Sequence, residues 1–232
     1  MTLLPSFQPG LHALVVGATG GIGSAFASLL DADPQVASVT RWSRSSGVDL
    51  TQPDSIAAAA AALPAAPDLV FIATGVLHGD GLAPEKANAQ LSADALTTAF
   101  AVNAIGPALV ARAVLPLMPR GRKTVLAALS ARVGSISDNR LGGWHSYRAA
   151  KAALNQLLHT MAIEQARRNP EQVVLALHPG TVDSGLSKPF QKGVPTLFTP
   201  DTSARHLLAV IDAATPAQSG QLLDWQGIVI PF

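Results

Sequence analysis

The chain of 232 residues contains no cysteine. That excludes disulfides, thiolate metal sites and a thiol nucleophile. Charge is scarce as well. Lys, Arg, Asp and Glu make up 13% of residues and the formal net charge is +1. With no long basic run, a nucleic-acid partner is not indicated. The six histidines are scattered without a metal spacing such as HExxH, which argues against a metal site. No uninterrupted apolar stretch reaches the roughly 18 residues of a membrane span. The first stretch, MTLLPSFQPGLHALVVG, lacks a charged leader region and runs straight into a strand pattern. The expectation is a cytoplasmic protein with no membrane partner. Aromatic residues are few, and Tyr147 is the single tyrosine.

What the chain has in excess is apolar residues, 48% of the total. Such a composition suits elements buried on both faces, or surfaces buried between subunits. Strand patterns at 12–17, 36–43, 68–75, 123–130 and 173–180 alternate with helical patterns at 21–33, 54–63, 92–118, 146–168 and 201–215. A last strand is expected at 220–227. The helix 92–118 should be perturbed near Gly106-Pro107. Strands bounded by Gly or Pro and separated by crossover helices indicate an α/β fold, a Rossmann-type doubly wound parallel sheet in a single domain. The irregular stretch 183–201 is too long for a turn and reads as a substrate loop.

VVGATGGIGSA follows the first strand and opens a helix. Gly17, Thr19, Gly20, Gly21, Ile22 and Gly23 form this turn. Free N–H groups at a helix start suit a pyrophosphate, and glycine lets the backbone approach it. Such a pattern also serves ordinary strand–helix turns. Its place on the first such turn points to a dinucleotide. NAD sites usually carry an acid about 20 residues further on. Here the second strand ends in VTRWSRSSG, with Arg41, Ser43 and Arg44 and no acid. An arginine suits a 2′-phosphate, so NADP(H) is favoured over NAD(H). Arg44, beside Ser43, is preferred over Arg41, although strand register leaves both open. Asp49 and Leu50 offer an adenine edge, or equally a helix-capping turn.

Tyr147 and Lys151 stand at i and i+4 and share one helix face. A phenol has a pKa of about 10, and a nearby ammonium favours its ionised form. Such a pair can pass a proton to or from a carbonyl oxygen. Alone, the pair is better read as an amphipathic tyrosine at a helix start and a solvated lysine.

Five segments together give the pair a context: G17-A-T-G-G21-I-G23, Asn103 in FAVNAIGP, Ser130 in LSARVGSI, Y147-R-A-A-K151 and H178-P-G-T181. In order and spacing the chain resembles the short-chain dehydrogenase/reductase family over essentially its whole length. The stretch from Ser130 to Asn155 is most similar to the branch of sniffer-like carbonyl reductases and bacterial C-factor proteins. The resemblance implies that Tyr147 is the acid/base and that Lys151 lowers its pKa and binds the nicotinamide ribose. It implies that a serine after strand 123–130 holds the substrate oxygen and that Asn103 holds a water leading to Lys151. Pro179, Gly180 and Thr181 would line the nicotinamide pocket, and Thr74 and Gly75 the adenine side.

Three departures follow. Where the family often has an Asn-Asn-Ala-Gly run, this chain has I72-A-T-G75. Where the family often has a serine pair, it has Ser130-Ala131, leaving Ser130 as the nearest hydroxyl and Ser135 as a rival. Trp144 and His145 precede the tyrosine and are expected to pack, as are His178 and Trp225. His78 is expected on a surface loop. The expected function is NADP(H)-dependent hydride transfer between the nicotinamide and a small carbonyl or alcohol substrate, in a homodimer or homotetramer. The C-factor resemblance keeps a second reading, a dinucleotide-binding signalling or regulatory protein with little turnover. A sugar-nucleotide epimerase is disfavoured, since the chain lacks room for a C-terminal substrate domain.

Overall fold

The computed structural model describes residues 2–79 and 81–232. The chain alternates as expected: β1 (Leu11–Val16), α1 (Gly21–Asp31), β2 (Val36–Trp42), α2 (Pro53–Ala61), β3 (Leu69–Ile72), then α3 (Ala93–Phe100) and α4 (Gly106–Val114). There follow β4 (Thr124–Leu129), α5 (His145–Arg168), β5 (Gln172–His178), β6 (Thr181–Val182), β7 (Leu197–Phe198), α6 (Pro200–Ala213), β8 (Leu222–Asp224) and β9 (Val229–Ile230). The main sheet runs β2-β1-β3-β4-β5-β8-β9, and its strands are parallel except for the β8–β9 pair. It is a mostly parallel sheet flanked by helices, a Rossmann-like single-domain fold.

Both faces of the sheet are covered, so the strands read as unbroken apolar runs. Alternate residues take opposite sides. Val15, Phe71, Ala127 and Leu175 join Phe26 of α1 and Leu207 and Ile211 of α6 in one core. Leu14, Val70, Leu126 and Val174 join Val110 of α4 and Leu154 and Leu158 of α5 in the other. Phe26 stacks on Phe71 with ring centroids 3.8 Å apart.

One expectation is corrected in detail, and the expected perturbation near Gly106-Pro107 takes a definite form. The single last strand at 220–227 is a hairpin instead. Asp224 Oδ1 accepts N–H bonds from Gln226 and Ile228, and Gly227 at φ +80° turns the chain back as β9. The long helix 92–118 is interrupted by a π-helical segment, Ala101–Ile105, immediately before Gly106-Pro107. Pro107 has no N–H to donate, and the register change absorbs that loss. A Cβ on Gly106 would lie 2.7 Å from Leu50 Cβ, so only glycine lets this helix press so close to residue 50. The run Ala93–Leu117 is long and apolar enough to cross a membrane by length and composition. Half of it is buried inside this fold.

Candidate active site

The chain steps outward from β1 to β2 and returns to β3 on the other side of β1. Open α/β sheets bind ligands in the crevice at such a reversal, beyond the carboxyl ends of the strands. A cleft of about 910 Å³ lies there, lined by Gly17, Thr19, Gly20, Ser43, Arg44, Asp49, Leu50, Thr74 and Gly75 among others. Sequence-remote loops thus bring these expected cofactor residues onto one surface, while Pro179, Gly180 and Thr181 do not line it.

The glycine turn is shaped by close approach. Gly17 has φ +81°, and a Cβ there would touch Ala73 and Thr74 at 3.0 Å. A Cβ on Gly23 would collide with Gly17 O at 2.3 Å. Ile22 packs partly buried against the core, and Gly21 faces Ser184 and Pro200 rather than the open cleft. Helix α1 has no side-chain cap and no acid in its first turn. Its first N–H groups therefore keep their donor capacity. Across the cleft, Thr74 Oγ1 is buried without a partner. A buried hydroxyl left unpaired costs free energy unless a ligand or water meets it. These features fit a dinucleotide.

Register separates the two arginines. Arg41 pairs with Val15 in the sheet and its guanidinium reaches Asp31 of α1. Arg44 opens the following 3₁₀ turn and lines the cleft, beside Ser43. Asp49 also lines the cleft, but its carboxylate accepts from Thr51 N and Oγ1, each at 2.8 Å, and so closes the turn before α2. The capping-turn reading of Asp49 is thus the one its hydrogen bonds display, and the side chain stands at the cleft wall as well.

The second half of the site lies on α5. Tyr147 and Lys151 are buried, at 9% and 2% exposure. Lys151 Nζ donates to Leu129 O at 2.8 Å and lies 5.7 Å from the centre of the Tyr147 ring. A Cβ built on Gly75 would stand 3.3 Å from Asn103 Oδ1 and 3.9 Å from Lys151 Nζ, so Gly75 joins the cleft to this cluster. Asn103 is fully buried in the π segment, and its amide exchanges two hydrogen bonds with the backbone of Val76. Gly134 presses the β4–α5 connection onto α5, where a Cβ would meet Lys151 Cβ at 2.8 Å.

Burial perturbs both members of the pair. Burial pushes Tyr147 well above its usual value, and burial also drives Lys151 down to about 7. An ammonium that is itself desolvated and turned toward Leu129 O gives the phenolate little support. A consequence for stability follows. Unfolded, this lysine titrates at 10.5. Between about 7 and 10.5 the unfolded chain holds the extra proton, so stability rises with pH across that window. Below it, the fold bears the full cost of a buried ammonium. Lys151→Met should therefore raise the melting temperature at pH 6 by at least about 3 °C, and by progressively less toward pH 10. Thermal unfolding at both pH values checks this.

The candidate serines are otherwise engaged. Ser130 is 4% exposed and its Oγ donates to Asn155 Oδ1 at 2.6 Å. Ser135 Oγ donates to Pro231 O and accepts from Asp138 N. Ala131 lies between them in extended backbone, φ −156°. Pro179, Gly180 and Thr181 turn the chain out of β5. Gly180 at φ +76° lies against Phe198 and Trp225, where a Cβ would approach to 2.7 Å and 3.2 Å. Trp225 packs on Phe198 and His206. His178 is half-buried at the end of β5, and desolvation first, then Arg132, hold it down to about 4.

The loop 183–199 lies over the Tyr147 half of the site. A Cβ on Gly75 would find Leu186 Cδ1 at 3.5 Å. Phe190 meets the Trp144 ring edge-on at 5.0 Å, and Trp144 meets Tyr147 at 6.3 Å. His78 does face this site: Nε2 lies 3.0 Å from Gly185 O and the ring meets Phe190 at 5.7 Å. Sequence reading placed the loop but missed the partners of Phe190. Phenylalanines isolated among prolines give no periodicity from which a partner could be read.

A family model described as "short chain dehydrogenase" matches residues 43–194. C-signal of Myxococcus xanthus is 38% identical over 134 residues, 57% of this chain and 76% of that protein. A 1-hydroxy-2-glutathionyl-2-methyl-3-butene dehydrogenase of Rhodococcus is 34% identical over 189 residues, 80% of this chain and 79% of that one. Among solved structures, the carbonyl reductase Sniffer of D. melanogaster superposes with TM-score 0.80 at 18% identity, covering 97% of this chain and 100% of that one. An NADPH-bound carbonyl reductase from chicken fatty liver gives TM-score 0.82 at 24% identity, covering 98% and 96%.

Proposed function

The chain belongs to the short-chain dehydrogenase/reductase family and is an oxidoreductase of that kind; we propose that it is NADP(H)-dependent and acts on a small carbonyl or alcohol. The observation that carries this reading is the junction at Gly75, where the dinucleotide-shaped cleft meets Lys151 and the Tyr147 helix. Arg44 would hold the 2′-phosphate, the Gly17–Gly23 turn the pyrophosphate, and Lys151 the nicotinamide ribose. Bound there, the cofactor supplies or accepts the hydride.

For reduction, Tyr147 donates its phenolic proton to the carbonyl oxygen as charge develops on it. Burial keeps that phenol protonated, which is the state a donor requires. Ribose hydroxyls would give Lys151 Nζ acceptors besides Leu129 O and favour its charged form, which stabilises the phenolate left behind. Asn103, fixed by Val76, would hold the water that returns a proton toward Lys151. Ser130 in this reading is a brace for Asn155 on α5, and Tyr147 is the main donor to the substrate oxygen. The Ser130 hydroxyl can join it only by releasing Asn155.

A missing oxyanion donor typically costs about 10²–10³-fold in rate. Ala131→Ser, in backbone that serine adopts freely, is therefore expected to raise kcat by about tenfold or more. Steady-state kinetics of that variant beside wild type checks it. Ile105, Leu157 and Ile163 are exposed at 50%, 37% and 47%. They support the homodimer or homotetramer, which light scattering at micromolar concentration tests.

NADPH oxidation against a panel of aldehydes, ketones and quinones, wild type beside Tyr147→Phe, tests the main reading. A regulatory protein with little turnover is the second reading, favoured by Ala131 and by the similarity to C-signal. Tight NADPH binding without turnover on any compound would favour it.

A further inference from the structure

Helix α5 begins with a deficit. Its N-cap is Trp144, which has φ +53° and offers no side-chain cap, and the first turn holds no acid. Trp144 is the one non-glycine residue with positive φ among the described residues. A helix start without acceptors leaves N–H groups orphaned and tends to fray. Tyr147 sits in that first turn.

The acceptors come from 61 residues earlier in the chain. Glu85 is 3% exposed. Its Oε2 accepts from Ser146 N at 3.2 Å, and its Oε1 accepts from the Ser146 hydroxyl. Its backbone oxygen accepts from Trp144 N at 2.5 Å. Gly143 admits this approach, since a Cβ there would lie 3.3 Å from that same oxygen. Three residues on, Asn88 Oδ1 meets His145 Nε2 at 2.9 Å. The segment 85–88 therefore grips 143–146 by both backbone and side chain.

We infer that Glu85 is a positioning residue for Tyr147, acting through Ser146 and Trp144. This rests on the reading of Tyr147 as the acid/base. Glu85 touches neither the cofactor cleft nor the phenol's reacting oxygen. Its carboxylate replaces the missing N-cap, where the helix dipole favours a negative charge. Burial works to raise the Glu85 carboxyl, but the hydrogen bonds from Ser146 and from its own backbone N–H, with His145 nearby, together hold the group below its ordinary value. The grip also sets the place of Trp144, whose ring lies between Tyr147 and Phe190. A small void lined by Leu82, Glu85, Ser146 and Tyr147 lies beside it. A shift of about 1 Å in a catalytic group can cost about 100-fold.

The test combines hydrogen exchange of the amides 146–148 with kcat and NADPH affinity, in Glu85→Ala, Glu85→Gln and Ser146→Ala. Glu85→Ala should speed exchange there at least about tenfold and lower kcat by about 100-fold, with NADPH affinity within about threefold. Glu85→Gln keeps an acceptor oxygen and should recover most of both. Ser146→Ala, which leaves the backbone bonds, should fall between. Unchanged exchange in Glu85→Ala would overturn the inference, as would a glutamine variant as poor as alanine or affinity falling in step with kcat. If wild type turned nothing over, the reductase reading would fail on that result. The exchange data would still decide whether Glu85 holds the helix start.

Discussion

Tyr147→Phe is expected to lower kcat for carbonyl reduction by about 10³-fold or more, with NADPH affinity unchanged within about threefold. The phenol is the single tyrosine of the chain, so no second one can substitute. Its ring is buried beneath Trp144, and removing one oxygen leaves that packing intact. Ser130 and Ser135 are bound to Asn155 and Pro231 and do not replace it without breaking those bonds. Stopped-flow hydride transfer with fluorescence titration of NADPH separates chemistry from binding. A variant that kept a tenth of wild-type turnover would sink the acid/base assignment. A variant that lost cofactor binding would show that Tyr147 serves the cofactor instead.

Arg44→Asp is expected to weaken NADPH about 100-fold while changing NADH by less than about threefold. A hydrogen bond to a charged group is worth about 1.5–3 kcal/mol, and the introduced carboxylate adds repulsion toward a 2′-phosphate. The aspartate would instead suit a ribose 2′-hydroxyl. Arg41→Asp is the control, since Arg41 already faces Asp31 on the other side of β2. Equal losses for both cofactors in Arg44→Asp would end the 2′-phosphate assignment.

These two sites were not equally legible in the sequence. The strand and helix order could be read because buried parallel strands are continuous apolar runs and their ends carry Gly or Pro. The glycine turn could be read because its spacing follows from backbone contact, as the Gly23–Gly17 approach illustrates. Arg44 could be preferred to Arg41 for its place past the strand, but the pairing of Arg41 with Val15 and its reach to Asp31 were not readable in advance. Burial decides the rest. Desolvation raises the phenol and lowers the ammonium, and neither effect has a local signature in the sequence. Glu85 gave no signal at all. A cap lent from 61 residues away carries no local motif, and glutamate in a loop ordinarily reads as solvated.

The single tyrosine has a practical consequence. In most enzymes a catalytic phenol is one voice among many and must be isolated by labelling or mutation. Here every phenolic signal of the folded chain, in near-ultraviolet absorbance, ring resonances or chemical nitration, comes from position 147. The ionisation of the group that would move the proton is therefore open to direct observation in the unmodified protein, with and without cofactor.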